Sequence, residues 1–141
     1  MAIRTSTAQW QGTLQEGSGT LALGSKSFEG AYSFVSRFQD GPGTNPEELI
    51  GAAHAACYSM FLSNVLSKAG FPPNSVDTSA AVHLESRPDG PTISKVELTT
   101  RGVVPGLTDE QFVEYAQQAK VGCPVSKALG AIDVTLDAAL A

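Results

Sequence analysis

Apolar and polar residues alternate in several stretches of the chain, and these stretches predict strands. From residue 4 to about 36, short apolar runs punctuated by glycines predict a meander of three strands, the last within GAYSFVSRF. The turn sequence DGPG ends this region at residues 40–43. SVDTSAAVHLES and TISKVELTTRGVV alternate on either side of RPDGP, which predicts a hairpin, and AIDVTLDAAL predicts a final strand.

Three helices are predicted between these strands. The first begins after Asn45, a favoured N-cap residue, with a proline and two glutamates in its first turn, and runs to about Lys68. It is apolar nearly all the way round, so we expect it to be buried on all sides. Thr108 caps the second helix, which ends at Gly122, and Pro124 begins a short third helix.

The order of these elements is β-β-β-α-β-β-α-α-β. Hairpin-joined strands separated by helices predict an α+β fold with antiparallel sheet. One domain over residues 1–141 is the simplest expectation for a chain of 141 residues. So short a chain would struggle to surround an apolar helix of about six turns. We therefore expect a homodimer in which each chain helps to cover the other's helix.

The composition narrows the class of partner. The chain carries 9 basic and 14 acidic residues, and the basic ones are scattered singly. No clustered basic surface is expected, which argues against a nucleic acid or an anionic membrane as a partner. We identify no secretory signal and no uninterrupted apolar stretch approaching the roughly 20 residues of a membrane span. A cytoplasmic protein is therefore expected.

The two cysteines are the first candidates for chemistry. A static bridge is not expected in a reducing compartment, so they are either two buried free thiols or a redox or catalytic pair. The chain has no CxxC, no HxxxH and only two histidines, so no metal site is predicted. Cys123, at a helix start, should be the more acidic thiol. Cys57, in apolar surroundings, should have a raised pKa unless a cation reaches it.

Three charged or titratable residues near these positions are further candidates, each with a purely structural interpretation. Arg37 is either a solvated charge at a strand end or a functional cation just before the turn that leads to the Cys57 helix. Glu47 is by default a favourable partner of the helix dipole. His54 lies one turn before Cys57, so it is either a buried, hydrogen-bonded histidine or the base of a Cys-His pair.

The longer motifs resemble a known family. SRF…GPGTNPEELIGAAHAACYSM, together with KVGCPVSKAL, is similar to the OsmC/Ohr family of osmotically inducible and organic hydroperoxide resistance proteins. The resemblance runs over nearly the whole chain, through AGFPPNSVDTSAAVHL and AIDVTL. The details resemble the OsmC branch, because the helix motif carries a histidine and the candidate arginine is Arg37. In Ohr-like proteins the arginine sits in an earlier glycine-rich loop.

The resemblance implies a fold and an activity. The fold is one of antiparallel sheets wrapped around long central helices in an intertwined homodimer. The activity is a thiol-dependent reduction of organic hydroperoxides and, less well, of hydrogen peroxide, in oxidative or osmotic stress defence. Cys57 would be the peroxidatic thiol and Cys123 the resolving thiol, with Arg37 and Glu47 completing the site. No bound cofactor is implied, and an external dithiol, such as a lipoylated protein, would be the reductant.

Helix geometry adds one prediction to this resemblance. Glu47 and Cys57 are ten residues apart on one predicted helix, about 15 Å along its axis, so their side chains cannot touch. We therefore predict a composite site in which at least one of Arg37 and Glu47 comes from the other subunit. Two other functions stay open: a transferase or hydrolase using Cys57 with His54 as base, and a non-catalytic stress or ligand-binding protein with an apolar pocket.

Overall fold

The computed structural model describes all 141 residues. The chain forms two compact units, residues 1–49 and 50–141. The expected single domain over 1–141 stays a prediction. The ten elements, in chain order, are β1 (Ser6–Gln11), β2 (Ser18–Leu23), β3 (Glu29–Ser33), α1 (Phe34–Phe38), α2 (Pro46–Lys68), β4 (Ser75–Arg87), β5 (Gly90–Val103), α3 (Asp109–Gly122), α4 (Pro124–Ala128) and β6 (Asp133–Leu140).

The first unit holds an antiparallel sheet in the order β1-β2-β3, as the glycine-rich meander predicts. The third strand is shorter than predicted, because residues 34–38 form the helix α1. Ser33 caps this helix: its Oγ accepts from the Ser36 N–H at 3.1 Å, and the Ser36 Oγ accepts from the Ser33 N–H at 2.9 Å. This reciprocal cap satisfies donors at the helix start, and it turns the chain out of the sheet.

The second unit holds a sheet in the order β4-β5-β6. β4 and β5 form the predicted antiparallel hairpin, with Arg87 paired to Gly90 across the turn. β6 runs parallel to β5, so the prediction of antiparallel sheet is wrong for this one pair of strands. A parallel neighbour requires a crossover connection, and the helices α3 and α4 lie in the chain between β5 and β6.

The long helix α2 begins where the sequence predicts. The Asn45 Oδ1 accepts from the Glu48 N–H at 2.8 Å, which caps the helix. One stripe of residues, spaced three or four apart, is buried: Glu47, Gly51, His54, Tyr58, Leu62 and Leu66. The opposite face carries apolar residues that are exposed: Ala52, Ala53, Ala56 and Met60. Burial on all sides is therefore wrong for the single chain, because one stripe of α2 is covered and the opposite face is not.

The length and composition of α2 bear on the expectation that no apolar stretch approaches the length of a membrane span. The helix spans 23 residues with a mean hydropathy of 1.4 in its 18-residue window, which is long and apolar enough to cross a membrane by length and composition. The core helix of a soluble protein meets the same two criteria, so this single helix is weak evidence for a span.

The core of the second unit lies among α2, β5 and α3. Its fully buried members include Tyr58 and Leu62 from α2, Val96 from β5, and Phe112 from α3. The Tyr58 hydroxyl donates to the Ala116 carbonyl at 3.0 Å, so the largest buried side chain is also satisfied as a polar group.

We expect Phe112→Ala to destabilise the protein strongly. The Phe112 side chain is fully buried, and its ring lies where a Cβ on Gly102 would come within 2.5 Å of it. Truncating such a side chain leaves a cavity and costs about 3–5 kcal/mol in the free energy of unfolding. The control is Val113→Ala at the neighbouring position, 40% exposed, which should change stability by about 0.5 kcal/mol or less. Urea denaturation measures both, and equal losses would contradict the assigned core.

Candidate active site

Two cysteines meet in the second unit. Cys57 lies on α2 and is half-buried, whereas Cys123 follows α3 and is fully buried. The Cys123 N–H donates to the Ala119 carbonyl at 2.9 Å, which ends α3, and Pro124 then begins α4. This turn directs the Cys123 side chain to α2, where the two Sγ atoms lie 3.3 Å apart as free thiols.

The surroundings of the two sulfurs shift the pKa values of the two thiols in opposite directions. Burial raises the pKa of the Cys57 thiol, and the neighbouring Cys123 raises it further, although the Val125 N–H lowers it. Burial also opposes the thiolate of Cys123, but the polar groups of Ser126 at the start of α4 and the neighbouring Cys57 outweigh burial and lower the pKa of Cys123. Cys123 is therefore the more acidic thiol, as the sequence predicts.

His54 lies behind the cysteine pair and is fully buried. Its Nε2 lies 2.7 Å from the Ser126 Oγ on α4, and its Nδ1 is buried without a hydrogen-bond partner. Burial lowers the pKa of the imidazole, which keeps it neutral. Of the two interpretations of His54, the buried, hydrogen-bonded histidine is confirmed, with Ser126 as its partner.

Arg37 and Glu47 form a two-pronged ion pair in the first unit. The Arg37 Nη2 donates to Glu47 Oε1 at 2.8 Å, and Nε donates to Oε1 and Oε2 at 3.2 and 3.3 Å. Glu47 is buried and Arg37 is about one-third exposed. The fork of a guanidinium matches a carboxylate in this geometry, so the pair fixes the arginine's orientation. Its Nη1 and one Nη2 hydrogen are not used by the pair and stay free to donate.

The loop between α1 and α2 brings this pair together. The Ser36 hydroxyl donates to the Thr44 carbonyl at 2.7 Å, and the Asn45 side chain donates to the Ser36 carbonyl at 3.2 Å. Gly43 has φ of +111°, and a Cβ there would lie 2.8 Å from the Ala31 carbonyl oxygen. Only glycine fits this close, left-handed turn without strain, which explains the second glycine of the GPG sequence before the helix.

An apolar groove of about 440 Å³ lies beside the Arg37 guanidinium. Its aromatic wall consists of Trp10, Tyr32, Phe34 and Phe38. The Arg37 Cζ lies 5.2 Å from the centre of the Phe38 ring, within the range of a cation–π contact. The groove therefore combines an apolar surface with hydrogen-bond donors that carry a positive charge.

Comparison with known proteins identifies the family. The family model described as OsmC-like protein matches residues 39–137. The chain belongs to the OsmC family. The peroxiredoxin OsmC of Escherichia coli K12 is 47% identical over 131 residues, which cover 92% of this chain and 91% of that protein. An organic hydroperoxide resistance protein-like protein of Staphylococcus aureus is 32% identical over 102 residues, covering 70% and 71% of the two chains.

The fold of this OsmC-family protein also occurs in solved structures. A crystal structure of an organic hydroperoxide resistance protein OsmC from Legionella pneumophila matches with a TM-score of 0.76 and covers 99% of each chain. Its sequence is 24% identical, so the likeness concerns the fold. The α+β prediction and the resemblance to the OsmC branch are confirmed.

The four candidate residues of this OsmC-family protein form two pairs. The structure brings Cys57 to Cys123, and it brings Arg37 to Glu47. On α2, Glu47 and Cys57 are ten residues apart, about 15 Å along the axis. Sequence reasoning missed Ser126, because nothing in KVGCPVSKAL indicates that its serine meets a histidine on α2. No group of three or more His, Cys, Asp or Glu side chains is placed to hold a metal ion.

Proposed function

We propose that this protein is a thiol peroxidase that reduces organic hydroperoxides, and less efficiently hydrogen peroxide, in oxidative or osmotic stress defence. Cys57 is the peroxidatic thiol and Cys123 the resolving thiol. The observation that carries the proposal is the 3.3 Å separation of the two sulfurs, one half-buried and one fully buried. The names of the relatives, peroxiredoxin and organic hydroperoxide resistance protein, support it.

The chemistry uses the two sulfurs in turn. The Cys57 thiolate attacks the terminal oxygen of the hydroperoxide, the O–O bond breaks, and the alkoxide takes up a proton and leaves as an alcohol. Cys57 is then a sulfenic acid. The Cys123 thiolate attacks the Cys57 sulfur, the S–O bond breaks, and hydroxide leaves as water after protonation. The lowered pKa of Cys123 favours this second step, because the thiolate is the attacking species.

The first step needs a cation at Cys57. The thiolate is the nucleophile, and burial raises the pKa of this thiol. Arginine suits the task because its guanidinium stays charged when desolvated, and its free N–H groups stabilise the oxygen that leaves. We assign this cation to Arg37, held in place by Glu47.

The site is composite in this proposal. Arg37 and Glu47 form an ion pair within one chain, so the same subunit contributes both residues to a site. Cys57 stands about 15 Å along α2 from Glu47, a distance that favours the partner subunit as the source of the guanidinium. The exposed apolar face of α2 supports a homodimer, because a second copy would remove those side chains from water.

The apolar groove beside Arg37 fits the organic part of the substrate. Its aromatic wall would bind an alkyl or aryl group by apolar contact, while the guanidinium faces the oxygens. Hydrogen peroxide has no such group to bury, so it would bind less well. The groove therefore supports organic hydroperoxides as the substrate class.

The cycle closes with an external reductant and no prosthetic cofactor. A dithiol reduces the Cys57–Cys123 disulfide, and we propose a lipoylated protein or another small dithiol as the donor. A cytoplasmic location stays a prediction; it agrees with thiols that must be reduced again after each turnover.

Counting free thiols tests the proposed function. Cumene hydroperoxide should remove both thiols of each chain, with the appearance of cumyl alcohol, and dithiothreitol or dihydrolipoamide should restore both. Peptide mapping should place the disulfide between Cys57 and Cys123. Thiols that survive an excess of hydroperoxide would overturn the proposal and favour the Cys57-dependent hydrolase or the ligand-binding function.

A further inference from the structure

Trp10 and Tyr32 meet across the middle strand of the first sheet. Trp10 on β1 pairs with Gly19 on β2, and Gly19 pairs with Tyr32 on β3, so the three residues share one face of the sheet. The two outer strands lie about 10 Å apart, and a middle side chain would normally separate their residues. Gly19 has none, and a Cβ there would lie 2.5 Å from the Tyr32 ring. The ring fills that space, and its centroid lies 5.3 Å from that of Trp10.

The polar edges of both rings are bonded within the protein. The Trp10 Nε1–H donates to the Gly12 carbonyl at 3.1 Å, and the Tyr32 hydroxyl donates to the Gln9 carbonyl at 3.3 Å. These bonds hold the two rings in place and satisfy their polar atoms. Both residues are only partly buried and line the apolar groove beside Arg37. The pair therefore offers a ligand the apolar surface of two oriented rings.

The rest of the groove separates an apolar end from a charged one. A second pair of rings, Phe34 and Phe38, has centroids 4.9 Å apart, and Leu14, in the turn between β1 and β2, is an exposed apolar residue of the lining. Arg37 is the one charged residue that lines the groove. The volume of about 440 Å³ falls within the range of small-molecule sites, roughly 300–1,000 Å³. The groove therefore matches a small ligand that is apolar at one end and carries oxygen at the other.

We propose that Trp10 is a specificity-determining residue through which the groove selects hydroperoxides with an aryl group over aliphatic hydroperoxides of the same size. The aryl ring packs against the Trp10 and Tyr32 rings, and the peroxide oxygens face Arg37. Binding of an aryl ligand stands on the geometry of the groove, whereas its consequence for turnover rests on the proposed function. Aromatic rings attract one another beyond the area that they bury, and an aliphatic ring gains only the burial. The expected preference in kcat/KM is about two- to tenfold.

Kinetics with two matched hydroperoxides test the selection. Cumene hydroperoxide carries a phenyl group on a tertiary carbon, and its analogue carries a cyclohexyl group on the same carbon. The ratio of the two kcat/KM values is compared between the native chain and its variants, so the intrinsic reactivity of each substrate cancels. Trp10→Leu should lower this ratio by about two- to tenfold. Trp10→Phe keeps a ring but loses the indole N–H, and it should keep most of the ratio.

Phe28→Leu is the matched control, because Phe28 is an exposed aromatic residue of the first unit that does not line the groove. It should leave the ratio of the two kcat/KM values unchanged. An unchanged ratio in Trp10→Leu, or an equal fall in Phe28→Leu, would overturn the role of Trp10. An equal fall in Trp10→Phe and Trp10→Leu would also overturn it, because the hydrogen bond to Gly12 and not the ring would then decide the preference.

Fluorescence separates this inference from the proposed function. Trp10 is the only tryptophan in the chain, so its emission reports directly on the groove. In the Cys57→Ser chain, cumyl alcohol should change the emission saturably, and the cyclohexyl alcohol should require a concentration about two- to tenfold higher. This result with a native chain that consumes no hydroperoxide would refute the proposed function but support the aryl site. Equal affinities for the two alcohols, or no saturable change, would overturn the aryl site even if the native chain is an active peroxidase.

Discussion

Cys57→Ser is expected to abolish hydroperoxide reduction. Serine has nearly the shape of cysteine, so the fold should survive, but its hydroxyl does not ionise near neutral pH and forms no sulfenic acid. Removing the nucleophile of an enzyme lowers turnover by several orders of magnitude, and we expect a loss of at least about a thousandfold. Steady-state consumption of cumene hydroperoxide with dihydrolipoamide measures it, and residual activity near that of the native chain would refute Cys57 as nucleophile.

Cys123→Ser is the matched control for this prediction. It also removes one thiol, but it should allow one rapid turnover and leave a sulfenic acid on Cys57 that a dimedone-type reagent traps. Excess hydroperoxide should then oxidise that sulfur further, because no resolving thiol is present. If Cys123→Ser alone blocks the first turnover, the roles of the two cysteines are reversed.

Arg37→Ala is expected to lower kcat/KM by about a hundredfold to a thousandfold, as the loss of a group that stabilises a developing negative charge does. The same change should raise the pH at which Cys57 is alkylated. Arg37→Lys keeps the charge but loses the fork that pairs with Glu47, so it should recover only part of the activity. Arg101→Ala is the control, since Arg101 makes a comparable ion pair with Asp137 on the second sheet. Equal effects at the two arginines would contradict a specific role for Arg37.

Mixing two inactive variants tests whether the site is composite. In a heterodimer of a Cys57→Ser chain and an Arg37→Ala chain, one site would combine an intact Cys57 with the partner's intact Arg37. Random pairing of co-expressed chains should then restore about a quarter of the native activity, since half the dimers carry one complete site of two. No recovery in a purified heterodimer would place all the groups in one subunit.

The sequence predicts most of the fold because its signals are local. Asn45 and Thr108 occupy the N-caps that their side chains favour, and the structure bears out both helix starts. The helix α1 was missed because alternation in GAYSFVSRF is compatible with a strand, whereas the decisive contact is a reciprocal cap between Ser33 and Ser36. The parallel pairing of β6 with β5 could not be predicted, since it depends on where the two intervening helices return the chain.

The sequence does not predict those contacts in the site that join residues far apart along the chain. The acidity order of the two thiols follows from what surrounds each of them locally, and it is confirmed. The position of His54 in an apolar helix indicates that it is buried. Its partner could not be predicted, because the contact depends on how the chain brings α4 back against α2. The family resemblance implies that Arg37 and Glu47 belong to the site, but the residues of the loop between them do not indicate that the two side chains pair.

The short distance between Cys57 and Cys123 has a consequence for electron transfer between proteins. Closing a 3.3 Å gap to a covalent bond takes about 1 Å of side-chain movement, so neither α2 nor α4 has to unwind. The oxidised and reduced molecules would then have nearly the same surface. A donor protein that docks on that surface would bind the oxidised and the reduced form with similar affinity. The donor would then distinguish the two forms only by the thiol–disulfide exchange reaction, which requires the disulfide.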